Sequence, residues 1–398
     1  MSTAELLAAL DALLAEPVAA GRARESRAFD EASRGRSLVL MGAGGLGRRA
    51  LAGLRAAGVT PLAFADNDAD RQGTTHEGVR ILSPEDAARE FGATAAFVVT
   101  IWGANSPHRF ADSREQLVAL GCDVIVPFPL LFWKYPTSLL PHYLMDLPHR
   151  VLEQAADVRR AFALWSDDAS RAEYVAQVRL RLRADFDGLP HPVLHPQYFP
   201  DDLYAWRSDE CIVDGGAYDG DSIRSLVVLH GGDFAKVVAF EPDPANFAKL
   251  QATVAALPAE WRERIVTLPM ALGDAHGTLP MAAMGTASSA MGAGAGQASV
   301  QVAVGPLDDL IGADRPTLIK FDIEGAEPEA LLGARGTIAA HGPVCAICVY
   351  HLQDHLWRLP LMLRDWRSDY AFFLRPHNEE GWDLVCYAVP LGRLREAT

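Results

Sequence analysis

The stretch IVDGGAYDGDS, residues 212–222, puts an acidic residue at the end of an apolar run, then two glycines, then two more carboxylates. Gly215 and Gly216 let a backbone approach a ligand closely, while Asp214, Asp219 and Asp221 crowd the mouth of the turn. A pyrophosphate needs bare amides at a helix N-terminus, and three carboxylates repel it. They suit a cationic or zwitterionic ligand, one with a sulfonium and an α-amino group. About 20 residues further on, Glu241 in FEPDP ends the next apolar run, where a carboxylate can bind both ribose hydroxyls. Asp274 in ALGD follows the third run and can accept a hydrogen bond from an adenine amino group. Taken singly, each is an ordinary cap or turn residue. In this order they point to S-adenosylmethionine (SAM).

The segment IKFDIEGAE supplies Lys320, Asp322, Glu324 and Glu327 around a fourth strand end. Strand C-termini line the ligand crevice of an open α/β sheet, so Asp322 should sit beside the cofactor, with Glu324 one pleat along on the same side. Methyl transfer from a sulfonium is a direct displacement: the acceptor must be aligned and must lose a proton. For a hydroxyl acceptor the candidate bases are Asp322, Glu324 and His351, the last ending the strand in VYHLQDHLW. His351 can equally be a satisfied core or capping histidine. Asp322, Glu324 and His351 also have the mixed O/N character that suits Mg, Mn or Fe, but their spacing does not demand a metal and none is assigned.

A second glycine turn lies near the N-terminus. In LVLMGAGGLGRRA, Gly42, Gly44 and Gly47 fit the dinucleotide fingerprint, with Asp66 placed as a ribose-binding carboxylate. Three features argue against a dehydrogenase. The unit is about half of a two-part dinucleotide fold. Arg48 and Arg49 suit any phosphate ligand. No Tyr-x-x-x-Lys or His/Asp pair for hydride transfer lies nearby. Nucleotide or nucleotide-sugar binding without redox chemistry, a structural or oligomerising role, and NAD(P) binding all stay open.

The elements that must position these residues follow from the pattern. Residues 37–41, PLAFADND, AAFVVTIW and GCDVIVPFPLLF read as strands alternating with helices, hence a parallel sheet. RQGTTHEGVRILSPEDAARE reads as a loop in which Ser83 caps a helix. Residues 131–205 carry helical periodicity and then a Pro-, His- and aromatic-rich loop. A second alternating unit starts at Cys211 and closes on an antiparallel hairpin, YAFFLRPHN with WDLVCYAVP. IVTLPMALGD reads as one strand, and the small-residue stretch 281–299 as a linker or a mobile loop beside the site. Cys345 and Cys348 fall on opposite faces of a buried strand, so core packing is favoured over metal or redox use. The N-terminal stretch MSTAELLAALDALLAE has an apolar helical stripe without a basic leader and reads as a docking helix.

The division predicted is 1–130 for an N-terminal Rossmann-like domain of nucleotide-binding type, 131–205 for a helical connector and 206–398 for the methyl-transfer domain. The 398 residues carry a formal charge of −15. That sign disfavours nucleic-acid and membrane-surface partners, and no apolar run reaches the roughly 20 residues that span a bilayer. Five scattered cysteines fit a reducing, cytoplasmic setting.

Across roughly residues 195–375 the chain resembles the FkbM family of SAM-dependent methyltransferases. The resemblance rests on QYFPDDL, IVDGGAYDGDSI, AFEPDPANFAKL, ALGD, ASS, PLDDLI, IKFDIEGAEPEALLGA and VYHLQDHLWRLPLML, in that order. It implies a class I, Rossmann-like, seven-stranded α/β fold and methylation of an oxygen, often on sugars or polyketide-type products. By position, Asp214, Gly215, Gly216, Tyr218 and Asp219 would form the methionine-side loop. Glu241 and Asp243 would stand at the ribose, Asn246 would support that loop, and Asp274 would face the adenine. Asp322, Glu324 and Glu327 would line the acceptor side. The N-terminal stretch from GAGGLG to SPED resembles the N-domain of nucleotide-sugar-modifying proteins. The expectation is a SAM-dependent O-methyltransferase acting on a sugar, a nucleotide-linked sugar or a secondary metabolite, with a small-molecule or saccharide partner and a possible homo-oligomer. The alternatives are a bifunctional protein with an NAD(P)-dependent sugar oxidoreductase or epimerase N-domain, and a non-catalytic nucleotide sensor.

Overall fold

The computed structural model describes residues 1–104, 108–193, 195–281 and 300–395. Two parallel-dominated sheets organise the chain. The first contains β1 (Leu38–Met41), β2 (Ala63–Ala65), β3 (Thr75–His76), β4 (Val79–Leu82), β5 (Ala96–Val99) and β6 (Ile125–Pro127), in the order β3-β4-β2-β1-β5-β6. Both β1 and β5 are continuous apolar runs buried along their length, as parallel strands covered on both faces must be.

Residues 71–90 are not a plain loop: they hold β3 and β4. Glu77 and Gly78 both take positive φ, 48° and 79°, which reverses the chain tightly. Val79 and Ile81 are buried while Arg80 is exposed, and this period-two pattern joins β4 to β2. Ser83 does cap the next helix, accepting from the Asp86 N–H at 3.0 Å. The expected fourth strand, GCDVIVPFPLLF, keeps only three strand residues. The helix Phe128–Lys134 takes the rest, with Pro129 in its first turn, where the missing N–H costs nothing.

The second sheet contains β7 (Cys211–Gly215), β8 (Lys236–Phe240), β9 (Ile265–Leu268), then β13 (Leu318–Phe321), β14 (Val344–Cys348), β15 (Tyr370–Pro376) and β16 (Leu384–Pro390). Its order is β15-β16-β14-β13-β7-β8-β9, and β16 runs antiparallel to both neighbours. A separate three-stranded sheet is formed by β10 (Met270–Leu272), β11 (Gly277–Met281) and β12 (Val300–Gly305). IVTLPMALGD is therefore two strands. Pro269 has no N–H for a ladder bond and divides them. Residues 282–299, most of the expected small-residue loop, lie outside the described residues. Cys345 and Cys348 are both buried in β14.

The helices between the sheets bridge them. Helix Asp168–Arg183 packs on the N-terminal helix Thr3–Leu14 on one side and on β15 on the other. Further along the same junction, Trp102 donates its indole N–H to the Glu380 carbonyl at 3.2 Å, and the Phe110 N–H donates to the Glu380 carboxylate. Among the described residues no helix is long and apolar enough to cross a membrane.

Candidate active site

The carboxyl edges of both parallel sheets face one cavity of about 720 Å³. From the first sheet come Gly45 and Leu46, just past β1, and Trp102 to Ala104, past β5. From the second come Tyr218, Glu241, Asp322 with Glu324, and Tyr350, past β7, β8, β13 and β14. Asp383 also lines the cavity. It precedes β16, and because β16 is antiparallel to β14 its start lies at the edge where β14 ends.

One wall is built on the second glycine turn. Gly216 has φ +78°, and a Cβ there would lie 1.9 Å from the Asp322 carbonyl oxygen, so only glycine lets β7 and β13 close at this point. The Glu241 carboxylate accepts from the Tyr218 and Asp243 N–H groups, each at 2.8 Å. Asp243 in turn caps helix Pro244–Ala255, accepting from the Ala245 and Asn246 N–H groups at 2.8 and 3.2 Å. Gly216, Tyr218, Glu241 and Asn246 line the cavity; Asp214, Gly215, Asp219, Asp243 and Asp274 do not. Burial pushes Glu241 up to about 7 against those backbone donors.

The three aspartates expected to crowd this mouth do not all face it. Asp214 is buried against Lys320, Nζ to Oδ1 at 2.9 Å, and accepts from the Ser222 hydroxyl. Lys320 also donates to the Gly216 carbonyl at 2.6 Å. Burial opposes the Lys320 charge, but Asp214, Asp322 and Asp221 hold its pKa above the usual lysine range. Asp219 is turned away, bound to Arg224 at 2.7 Å. Of the three aspartates only Asp221 lines the cavity, and burial raises its pKa. Asp274 is exposed: strand β9 ends at Leu268, so Asp274 sits on the later turn into β11 while Met270, Ala271 and Leu272 reach the cavity.

The opposite wall centres on Asp322. It accepts from the Tyr198 hydroxyl at 2.8 Å and the Tyr350 hydroxyl at 3.4 Å, with His351 Nε2 3.3 Å away. Glu324 is not one pleat along. The strand ends at Phe321, and Glu324 takes φ +56° on a turn that still brings it to the cavity. His351 lies behind Asp322 and does not line the cavity. Glu327, expected on the acceptor side, is fully buried instead, because it balances two histidines: His351 Nδ1 at 2.8 Å and His355 Nδ1 at 3.2 Å. It also accepts from the Ile323 N–H at 2.9 Å, which pins the turn carrying Glu324. Burial works against both charges, yet His351 and His355 hold Glu327 far below the usual carboxylate range, and Glu327 with Glu324 and Asp322 holds His351 at about 10. Burial also lifts Glu324 to about 7 and Asp383 to about 6.

Asp322, Glu324 and His351 do not form a cation cage: their ligand atoms do not all come within 4.8 Å of one another. Among the described residues the one group that does is His195, Asp201 and Asp202, which is exposed.

At the first glycine turn, Gly42 has φ +109° and a Cβ on Gly47 would lie 1.9 Å from the Gly42 carbonyl oxygen, so both serve strand–helix closure. Asp66 accepts from the Ala43 N–H at 2.6 Å and pairs with Arg71 at 3.2 Å, bracing the turn. Gly42, Gly44, Gly47 and Asp66 do not line the cavity, whereas their neighbours Gly45 and Leu46 do.

Tyr198, Trp102, Trp382 and Asp383 line the cavity without a role legible in their sequence stretches, and Lys320 stands behind them, bound to Asp214. One signal was available for Asp383: an acidic residue before an antiparallel strand occupies the same edge as one after a parallel strand.

A search of curated proteins finds no match. The crystal structure of methyltransferase FkbM from Methylobacillus flagellatus KT is 24% identical, covers 96% of this chain and 98% of that chain, and superposes at a TM-score of 0.77, so both sheets belong to a shared fold. A chain described as an rRNA methylase from Clostridium thermocellum is 11% identical over 49% of this chain and 91% of its own, at a TM-score of 0.32 that carries no argument. Residues 214–374 match the family model described as the methyltransferase FkbM domain; the chain carries an FkbM domain and is a methyltransferase.

Proposed function

We propose that the chain is a SAM-dependent O-methyltransferase acting on a hydroxyl of a saccharide or a related small molecule. The observation that carries this reading is the single cavity joining Glu241, Tyr218 and Asn246 to Asp322 and Glu324. The donor set fits a nucleoside on one side: Glu241 presents a braced carboxylate for the ribose hydroxyls, and Met270, Leu272 and Phe240 supply apolar wall for an adenine. Asp221 offers a carboxylate to an α-ammonium group. SAM supplies an electrophilic methyl group, transferred by displacement from its sulfonium.

Asp322 and Glu324 face the acceptor side. Asp322 is oriented by Tyr198 and Tyr350 and backed by His351. Either carboxylate can take the proton of an acceptor hydroxyl, and a positioned base of this kind contributes typically 10²–10⁴-fold. Asp322, with the protonated His351 behind it, is the group assigned that role. Glu327 and His355 position His351.

Titration calorimetry with SAM and S-adenosylhomocysteine tests the reading. Both should bind in the micromolar range, roughly −8 kcal/mol. Binding of neither at that level sinks it.

A further inference from the structure

Resting on the methyl-transfer reading above, we propose that the acceptor carries an ammonium group and no phosphate, as an amino sugar or similar aminated polyol does, and that the N-terminal unit supplies one wall of its site. Three observations converge on the acceptor end of the cavity.

The first is charge. Asp322, Glu324 and Asp383 all open onto this end. No lysine or arginine is among the described residues lining the cavity. Lys320, His351 and Arg49 stand behind the wall and are already committed: Lys320 to Asp214 and Gly216, His351 to Glu327 and Asp322, and Arg49 to the Leu139 and Pro141 carbonyls. His142, also in the wall, is neutral, since burial and Arg49 bring its pKa down to about 3. A phosphate placed against Asp322, Glu324 and Asp383 meets carboxylates; an ammonium group relieves their repulsion.

The second is an aromatic box. The rings of Trp102 and Trp382 lie 4.4 Å apart, Tyr143 is 4.6 Å from Trp382, and Tyr350 is 5.7 Å from it. Aromatic faces beside carboxylates hold ammonium groups and also stack on the C–H faces of sugar rings. Trp102 comes from the edge of the first sheet and Tyr143 from the bridge, so the box closes only when both halves of the chain are in place. The third is a spare donor. Trp382 lines the cavity, is 7% exposed, and its indole N–H has no partner among the described residues. Such a group is costly to leave unmade, and a polyol oxygen would satisfy it.

The test uses the full-length protein, with and without S-adenosylhomocysteine, and follows tryptophan emission from the box. The probes are glucosamine, galactosamine and mannosamine, each against its parent hexose and that hexose's 6-phosphate. At least one hexosamine should bind about tenfold more tightly than its parent hexose, and the phosphates should not bind at about 20 mM. Asp383→Asn keeps a residue that tolerates the positive φ of 49° at this position, and should reduce the hexosamine preference to under about threefold. A hexose or hexose phosphate that binds as tightly as its hexosamine overturns the proposal. So does a panel in which no hexosamine binds, or an Asp383→Asn protein that keeps the full preference. Adenosyl binding is measured separately, so these outcomes leave the methyl-transfer reading standing, and its failure shows in calorimetry alone.

Discussion

Glu241 accepts two backbone N–H groups while its side chain faces the cavity, so it both braces the loop and offers a carboxylate to a ligand. Glu241→Ala removes both functions. It leaves the Tyr218 and Asp243 N–H groups without their acceptor and a ribose without its partner, each an unmet hydrogen bond of about 1–3 kcal/mol. S-adenosylhomocysteine affinity measured by calorimetry should fall at least about tenfold. An unchanged affinity would remove Glu241 from the site. The acidic order Asp214, Glu241, Asp322 was legible because each follows an apolar run. Their different fates were not, because the partners come from distant sequence: Lys320 cancels Asp214, while Tyr198 and Tyr350 leave Asp322 facing the cavity.

At the scale of elements, strand ends and the turns after them set the geometry. Among the described residues, five non-glycine residues with positive φ line the cavity: Tyr143, Tyr198, Tyr218, Glu324 and Asp383. Backbone held in that region is costly and persists only where its surroundings over-determine it. Here the Glu327 bond to the Ile323 N–H and the Glu241 bond to the Tyr218 N–H hold two of these turns. Gly216→Ala sets a methyl against the Asp322 carbonyl and requires φ +78° of an alanine. It should destabilise the fold by about 1–3 kcal/mol in urea unfolding and weaken adenosyl binding with it. A wild-type unfolding midpoint would show that β7 and β13 are less tightly closed than described. The misplaced elements have local causes. Pro269 ends β9 early, which moves Asp274 off the sheet edge, and the Glu77–Gly78 reversal makes a hairpin of an apparent loop.

Across the whole molecule, several acidic groups are held away from water. Burial lifts Glu173, Glu241, Glu324 and Glu380 to about 7 each, and Asp383 to about 6. In the unfolded chain these glutamates lose their protons near 4.5. Between those values the folded state binds more protons, so stability falls as pH rises. His351 acts in the same sense. Its stabilisation is complete below its unfolded value of 6.5 and is lost as pH rises through about 10. His142 and His377, lowered to about 3 and about 4 by burial, oppose this below pH 6.5 but are outnumbered, so the ligand-free protein should melt at a lower temperature at pH 7.5 than at pH 5.5. A higher Tm at pH 7.5 in calorimetric scans would contradict the burial of these groups.

Apolar runs that end in acid or glycine are written consecutively in the chain, and period and turn chemistry are local. That is why the sequence alone determined the alternating architecture, both glycine turns, the Ser83 cap and the acidic strand ends behind the methyltransferase resemblance. Tertiary structure decided which of those residues meet. It buried Glu327 between two histidines, neutralised Asp214 and turned the start of β16 toward the ends of the parallel strands. It also set Trp102 against Trp382, so that the N-terminal unit closes the cavity of the methyltransferase domain. Each of those contacts joins residues far apart in the chain or depends on the direction of a strand, and neither is encoded in local order.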